Sequence, residues 1–182
     1  MRHLILSGAA VSLLLVGATT HAQAQEQHEV EMHWVSKKGV ERSIGTVALE
    51  EREDGLLLTP DLSGIIPGIY GFHVHQNASC EPGENDDGET IAAGKAGGHY
   101  DPKNTGSHEG PYGEGHRGDL PVLTVNEDGK AMHPVLAPRL SLDDMQGRSL
   151  MIHAEGDTYS NEPKDGGGGP RKACGVVELT SS

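Results

Sequence analysis

Apolar residues in this chain recur at every second position, in short runs closed by glycine, proline, asparagine or aspartate. That period places alternate side chains on opposite faces of an extended strand. Val30, Met32 and Trp34 alternate within Glu29–Ser36. Ile44, Val47 and Leu49 mark Ser43–Glu50, and Gly55–Thr59 is a compact apolar run. Ile69–His75 is β-branched and aromatic. Leu120–Val125 leads into the turn sequence Asn126-Glu127-Asp128-Gly129, and Ala131–Ala137 is expected to pair back on it. With Ser149–Ala154 and Cys174–Leu179 this makes about eight strands. The pattern predicts an all-β fold, an antiparallel sandwich or flattened barrel. The best helical candidate, Leu140–Met145, is barely one turn long.

The first 24 residues read differently. Arg2 and His3 precede an apolar, small-residue run from Leu4 to Val16. Ala22-Gln23-Ala24 then supplies the small-x-small pattern at which signal peptides are cut. Residues 1–24 are therefore expected to be a signal peptide and 25–182 one exported domain. The run is too short for a membrane anchor. Losing Arg2, the leader's one charged residue, would take the net charge from -13 to -14. So acidic a chain, without a basic patch, is not built for nucleic acid or anionic lipid. Cys80 and Cys174 are the only two cysteines, and an even count in an exported chain suggests one disulfide. Aromatic residues make up only 3% of a chain with 26 glycines, so large core side chains are scarce and a cross-link would help.

Two stretches, 77–120 and 155–172, carry neither strand period nor many apolar residues. Loops this long inside a compact domain are usually functional or disordered. The placement of histidine argues for function. In His73-Val74-His75 both imidazoles face one side of a strand and can reach one ion. Two such histidines, taken alone, are more often plain strand residues than ligands, and the same holds for His153. Together, three imidazoles suit copper. His99, His108, His116 and Asp119 fall within 21 residues. Three histidines and a carboxylate make a closed tetrahedral set for zinc, and binding would order the loop. Any one of them alone could be a scattered loop residue.

Four motifs then carry a resemblance. Gly71-Phe72-His73-Val74-His75, Gly97-Gly98-His99-Tyr100-Asp101-Pro102, Gly115-His116-Arg117-Gly118-Asp119-Leu120 and Ala173-Cys174-Gly175-Val176-Val177 resemble the copper/zinc superoxide dismutase family, most closely its bacterial exported branch. The resemblance implies an eight-stranded antiparallel Greek-key barrel with two long functional loops, exported to the periplasm. It implies one copper held by His73, His75, His99 and His153, and one zinc held by His99, His108, His116 and Asp119. His99 is then shared, and is catalytic together with Arg171, the guanidinium beside the copper. Asp157 resembles the carboxylate that links His73 to His108, and Cys80 and Cys174 match the family's disulfide. The substrate implied is superoxide, and family members of this branch are monomers or homodimers. Lys95, Lys164 and Lys172 are candidates for further local positive charge.

A periplasmic copper or zinc buffer without turnover is the main alternative, and it has no need of Arg171 or of a shared His99. A zinc hydrolase needs an open zinc position, whereas this set is already four-coordinate. A purely structural sandwich would leave the ligand set unexplained.

Overall fold

The computed structural model describes residues 28–179. The leader expected at 1–24 lies outside them. Twelve strands follow in order: β1 (His28–Ser36), β2 (Gly39–Arg52), β3 (Gly55–Ser63), β4 (Gly68–Tyr70), β5 (Phe72–His75), β6 (Gly83–Glu84), β7 (Thr90–Ile91), β8 (Leu123–Val125), β9 (Lys130–Ala131), β10 (Val135–Ala137), β11 (Ser149–His153) and β12 (Arg171–Val176). Among the described residues the only helical pieces are three short 3-10 turns, one of them Asp143–Met145 within the expected Leu140–Met145. Eight strands make one curled antiparallel sheet, ordered β10-β3-β2-β1-β12-β11-β5 with β9 also on β3. The first and last strands are therefore neighbours. The all-β expectation holds.

Alternation decides what goes inside. Val30 and Met32 of β1, Val47 and Leu49 of β2, Leu56 and Leu58 of β3, and Leu150 and Ile152 of β11 all turn inward and are buried. The small β4–β8 sheet packs against them through Tyr70, Leu123 and Val125, so it lines the inside of the curl. Phe72, the only phenylalanine, is fully buried among these aliphatic side chains. Burying each such side chain is worth about 1.5–3 kcal/mol, which is how a core poor in aromatics holds. A second, smaller cluster lies on the sheet's other face. It contains Val35, Ala93, Ala96, Met151 and the Cys80–Cys174 disulfide. That cluster seats the long loop against β12, and the bridge spans 94 residues.

Three strand expectations are corrected. Ile69–His75 is broken at Gly71 into β4 and β5, which belong to different sheets. The break exists because Gly71 turns its backbone aside: its N–H donates to the Glu155 carbonyl and its carbonyl accepts from His153 N. Ala131–Ala137 does not pair back on Leu120–Val125. Its two ends, β9 and β10, pair with β3, while β8 pairs with β4. The Asn126–Gly129 turn does form, with the Asn126 side chain accepting from Asp128 N and Lys130 N. A turn reverses the chain, but the free sheet edge decides where the next strand pairs. The last strand is Arg171–Val176 rather than Cys174–Leu179.

Candidate metal centre

Strand β5 is buried at all four positions. Phe72 and Val74 enter the main core, so His73 and His75 take the opposite face. Strand β11 pairs with β5 in the register Met151↔His73, and His153 follows at its end beside Gly71. The first long loop then lays its backbone along the free edge of β5. Val74 N donates to Gly118 O, Tyr100 N to Val74 O, and Leu120 N to Phe72 O. These bonds bring His99 opposite His75 and Asp119 opposite His73. Three backbones meet at Gly118. A Cβ there would collide with the Val74 carbonyl oxygen and come within 2.8 Å of Tyr100 N, so only glycine fits.

The result is two groups of buried ligand atoms. One contains His73, His75, His99 and His153, and the other His73, His99, His108 and Asp119; within each, all atoms lie within 4.8 Å of one another. His73 and His99 belong to both. His116 joins the second side by another measure. Its Nδ1 lies 3.4 Å from Asp119 Oδ1, beside the Nδ1 atoms of His99 and His108 at 3.0 Å each. Ligand atoms around a tetrahedral ion with bonds near 2.0 Å sit about 3.3 Å apart, the spacing seen here. The ring of His116 neighbours His99 and His108, whereas His73 lies closest to His99 and His153, with centroids 4.0 and 4.8 Å away. His116 therefore sits on the Asp119 side, and His73, a member of both groups, lies nearer the other.

The outer ring nitrogens reveal which atom faces inward. His73 Nε2 donates to Asp157 Oδ2 at 2.6 Å and His108 Nε2 to Asp157 Oδ1 at 2.8 Å. His75 Nδ1 donates to Gly97 O at 2.9 Å and His153 Nδ1 to Gly169 O at 3.0 Å. Each of these acceptors takes a proton's hydrogen bond and offers none. In His73, His75 and His153, which burial keeps neutral, the opposite nitrogen is thus a bare lone pair pointing to the centre. The Nδ1 atoms of His73, His108 and His116 are buried and have no hydrogen-bond partner. Lone pairs aimed at one point, and at a carboxylate oxygen 3.0 Å away, need a cation between them. Three imidazoles and a carboxylate suit zinc, and an all-imidazole set suits copper. The residues fit the two metals.

The electrostatics of the two sides differ. Burial, then the charge of His99, pushes His73 and His75 well below the ordinary imidazole value. Burial also lowers His153 to about 4, against the hydrogen bond to Gly169. These rings are neutral at pH 7. Burial would lower His108 too, but the Asp119 and Asp157 carboxylates beside its two ring nitrogens outweigh it and raise His108 to about 9. Burial would raise Asp119 and Asp157, yet their histidine hydrogen bonds hold both far below the carboxylate range.

Arg171 closes the other wall. Its guanidinium donates to Ala93 O and Gly97 O, both at 2.6 Å. Burial lowers its pKa below the ordinary guanidinium value, partly offset by Asp165; a guanidinium stays charged at neutral pH. With His75, His99, His153 and Lys164 it lines a cleft of about 250 Å³. Lys172, one residue further along the strand, faces the other way, into an apolar recess with Trp34 and Tyr70. Lys95 is exposed on the turn Gly94–Ala96.

Asp157 was expected from the resemblance; the residues that sequence reasoning missed are Tyr159, Asn161, Gly166 and Arg139, which hold the segment around His108 and His116. Asp157, Tyr159 and Asn161 alternate along the second long loop. Asn161 Oδ1 accepts from His108 N at 2.6 Å, and Tyr159 OH accepts from Val122 N at 2.9 Å. Gly166 sits over the Asp157–His108 bond, where a Cβ would strike both. Arg139 donates to four carbonyls between residues 110 and 116. The alternation of Asp157, Tyr159 and Asn161 was the one signal available, within a stretch that shows no strand pattern.

Residues 43–177 match the family described as copper/zinc superoxide dismutase (SODC). The chain belongs to the copper/zinc superoxide dismutase family. It is 55% identical over 175 residues to "Superoxide dismutase [Cu-Zn] 2" of Salmonella typhimurium, covering 95% of this chain and 98% of that one. The Cu/Zn superoxide dismutase from Brucella abortus superposes with a TM-score of 0.80 at 48% identity, over 84% of this chain and 100% of that one. The monomeric copper, zinc superoxide dismutase from Salmonella enterica does so with a TM-score of 0.75 at 54% identity, over the same shares.

Proposed function

We propose that His73, His75, His99 and His153 hold one copper, and that His99, His108, His116 and Asp119 hold one zinc, in a chain that disproportionates superoxide to oxygen and hydrogen peroxide. The observation that carries the assignment is the position of His99, whose Nδ1 lies 3.0 Å from Asp119 Oδ1 while the residue lines the same cleft as His75, His153 and Arg171. Copper supplies the one-electron redox chemistry, and zinc, which has none, supplies a fixed charge.

The chain's own residues do the rest. Arg171 offers charge-assisted hydrogen bonds to a small anion entering the cleft. With its Nδ1 turned to Asp119, His99 presents Nε2 as the atom that takes up and gives back a proton at the cleft wall. Asp157 fixes the ring orientations of His73 and His108. Lys164 adds local positive charge at the same cleft. The overall charge of -13 does not repel superoxide strongly, because charges beyond about 8 Å are screened at physiological salt.

Export to the periplasm is supported by the Leu4–Val16 run, by Ala22-Gln23-Ala24, and by a disulfide suited to an oxidising compartment. Among the described residues no helix is long and apolar enough to cross a membrane. The assembly is a monomer, as in the Salmonella enterica relative, or a homodimer, and sedimentation of the purified chain separates the two. The function is tested by measuring superoxide dismutation and metal content on one purified sample. Rapid turnover with about one copper and one zinc per chain supports it. Both metals bound without turnover would instead make this a metal buffer.

A further inference from the structure

Arg139 stands two residues after the end of β10, in a turn closed by the bond from Leu140 N to Ala137 O. Both Ala137 and Leu140 are buried in the main core, so the base of the side chain is anchored to the sheet. Its guanidinium reaches across to a segment more than twenty residues back in sequence. Nε donates to Pro111 O at 3.0 Å, and one terminal nitrogen donates to Gly115 O at 3.0 Å. The other donates to Gly110 O at 2.9 Å and to His116 O at 2.6 Å. Four acceptors are thus gathered by one planar cation, a task that fits a five-donor guanidinium and no other side chain. None of these bonds uses a ring nitrogen or the Asp119 carboxylate.

We propose that Arg139 is a positioning residue for the zinc side: it ties the 110–116 segment to the barrel so that the His116 imidazole faces Asp119. This rests on the ligand assignment above. The segment's other hydrogen bonds are local, from His116 N to Ser107 O, from Asp119 N to His116 O and from Glu114 N to the Glu109 carboxylate, and none reaches the sheet. Tyr112 is 76% exposed, and the stretch contributes no member to either apolar cluster. The bond to the His116 carbonyl acts directly on the residue whose ring must be aimed. Without Arg139 the loop would have to be ordered by the metal, and that ordering would be subtracted from zinc affinity. Copper-side ligands lie on β5 and β11 and on the far side of His99, where Arg139 makes no contact.

The test uses the full-length, disulfide-bonded chain and two variants, Arg139→Gln and Arg139→Lys. Zinc and copper dissociation constants are measured separately by chelator competition, and cobalt(II) is placed in the zinc position as a spectroscopic probe. Arg139→Gln should weaken zinc by about 10–100-fold and change copper by less than about threefold. The cobalt(II) absorption should change shape, and Arg139→Lys should recover part of the zinc affinity. A residue that merely stabilises the fold would lower the melting temperature and leave the zinc-to-copper ratio unchanged, and that result overturns the proposal. If Arg139→Gln does not fold, Arg139→Lys carries the same comparison. Failure of the unaltered chain to bind zinc would remove the ligand assignment itself, and the proposal with it.

Discussion

His153 and Arg171 face each other across the β11–β12 pair, at a register shift that follows Ile152. A bulge at that point re-aims the two side chains, so the last residue of one strand and the first of the next strand share one cleft. The same guanidinium donates to the Gly97 carbonyl, which also accepts from His75 Nδ1. Arg171 is thereby locked to the backbone that orients a proposed copper ligand.

From this arrangement, Arg171→Ala should slow superoxide turnover by about tenfold at low ionic strength, with both metals still bound. The loss should shrink as salt rises, since screening removes the attraction it supplied. Stopped-flow rates across a salt series check this, and an undiminished rate would take Arg171 out of the site.

Asp157→Asn should cost about 10–100-fold in zinc affinity. The carboxylate accepts from His73 and His108 with separate oxygens, and an amide can offer only one acceptor while its N–H₂ confronts an imidazole N–H. Chelator competition measures the change. Equal affinities would mean that ring orientation is fixed by packing alone.

Asp144 gives a pH dependence whose sign can be worked out. Burial would raise its pKa, but hydrogen bonds from Ser141, Arg117 and Tyr100 hold it below the ordinary value. The native carboxyl therefore binds protons less readily than the unfolded one. Its contribution to stability is complete above about pH 4 and is lost as pH falls through the depressed native value. Urea unfolding of wild type and Asp144→Asn should differ at pH 7, and the gap should narrow as pH falls below about 4. A gap that stays constant with pH would contradict the linkage.

Replacing both Cys80 and Cys174 by serine should lower stability by about 2–5 kcal/mol. It should also lower activity, because the bridge seats the loop that carries Ala93 and Gly97, the two carbonyls that hold Arg171. Denaturant midpoints and turnover on the same samples test both parts. Lost stability with full activity would show that the loop keeps its place without the bridge.

Much of this was legible because it depends on local pattern. Alternation in Glu29–Ser36 marked a strand with one buried face, and the short apolar run in Ser149–Ala154 marked a strand buried on both. His73-Val74-His75 put two rings on one face because alternate residues of a strand share a side. The Gly71 break was not legible, since glycine there reads like any strand glycine until Glu155 and His153 arrive to bond it. Nor was the pairing of β9 and β10 with β3, which depends on which sheet edge is free. Arg139 was hidden because an arginine after a strand looks the same whether it meets water or four carbonyls.

The sequence by itself determined the strand period, the acidic balance, the single cysteine pair and the order of the histidine motifs. These are properties of residue type and spacing along the chain. The Asp157 link and the cleft of His153 and Arg171 were expected only through the resemblance. Folding alone set that the 99–119 loop lies along β5, that Asn161 accepts from His108 N, and that Arg139 meets four carbonyls. The physical reason is that each of these is a long-range pairing of buried polar groups. Its partner is chosen by which donors and acceptors folding leaves unsatisfied, and spacing along the chain does not carry that information.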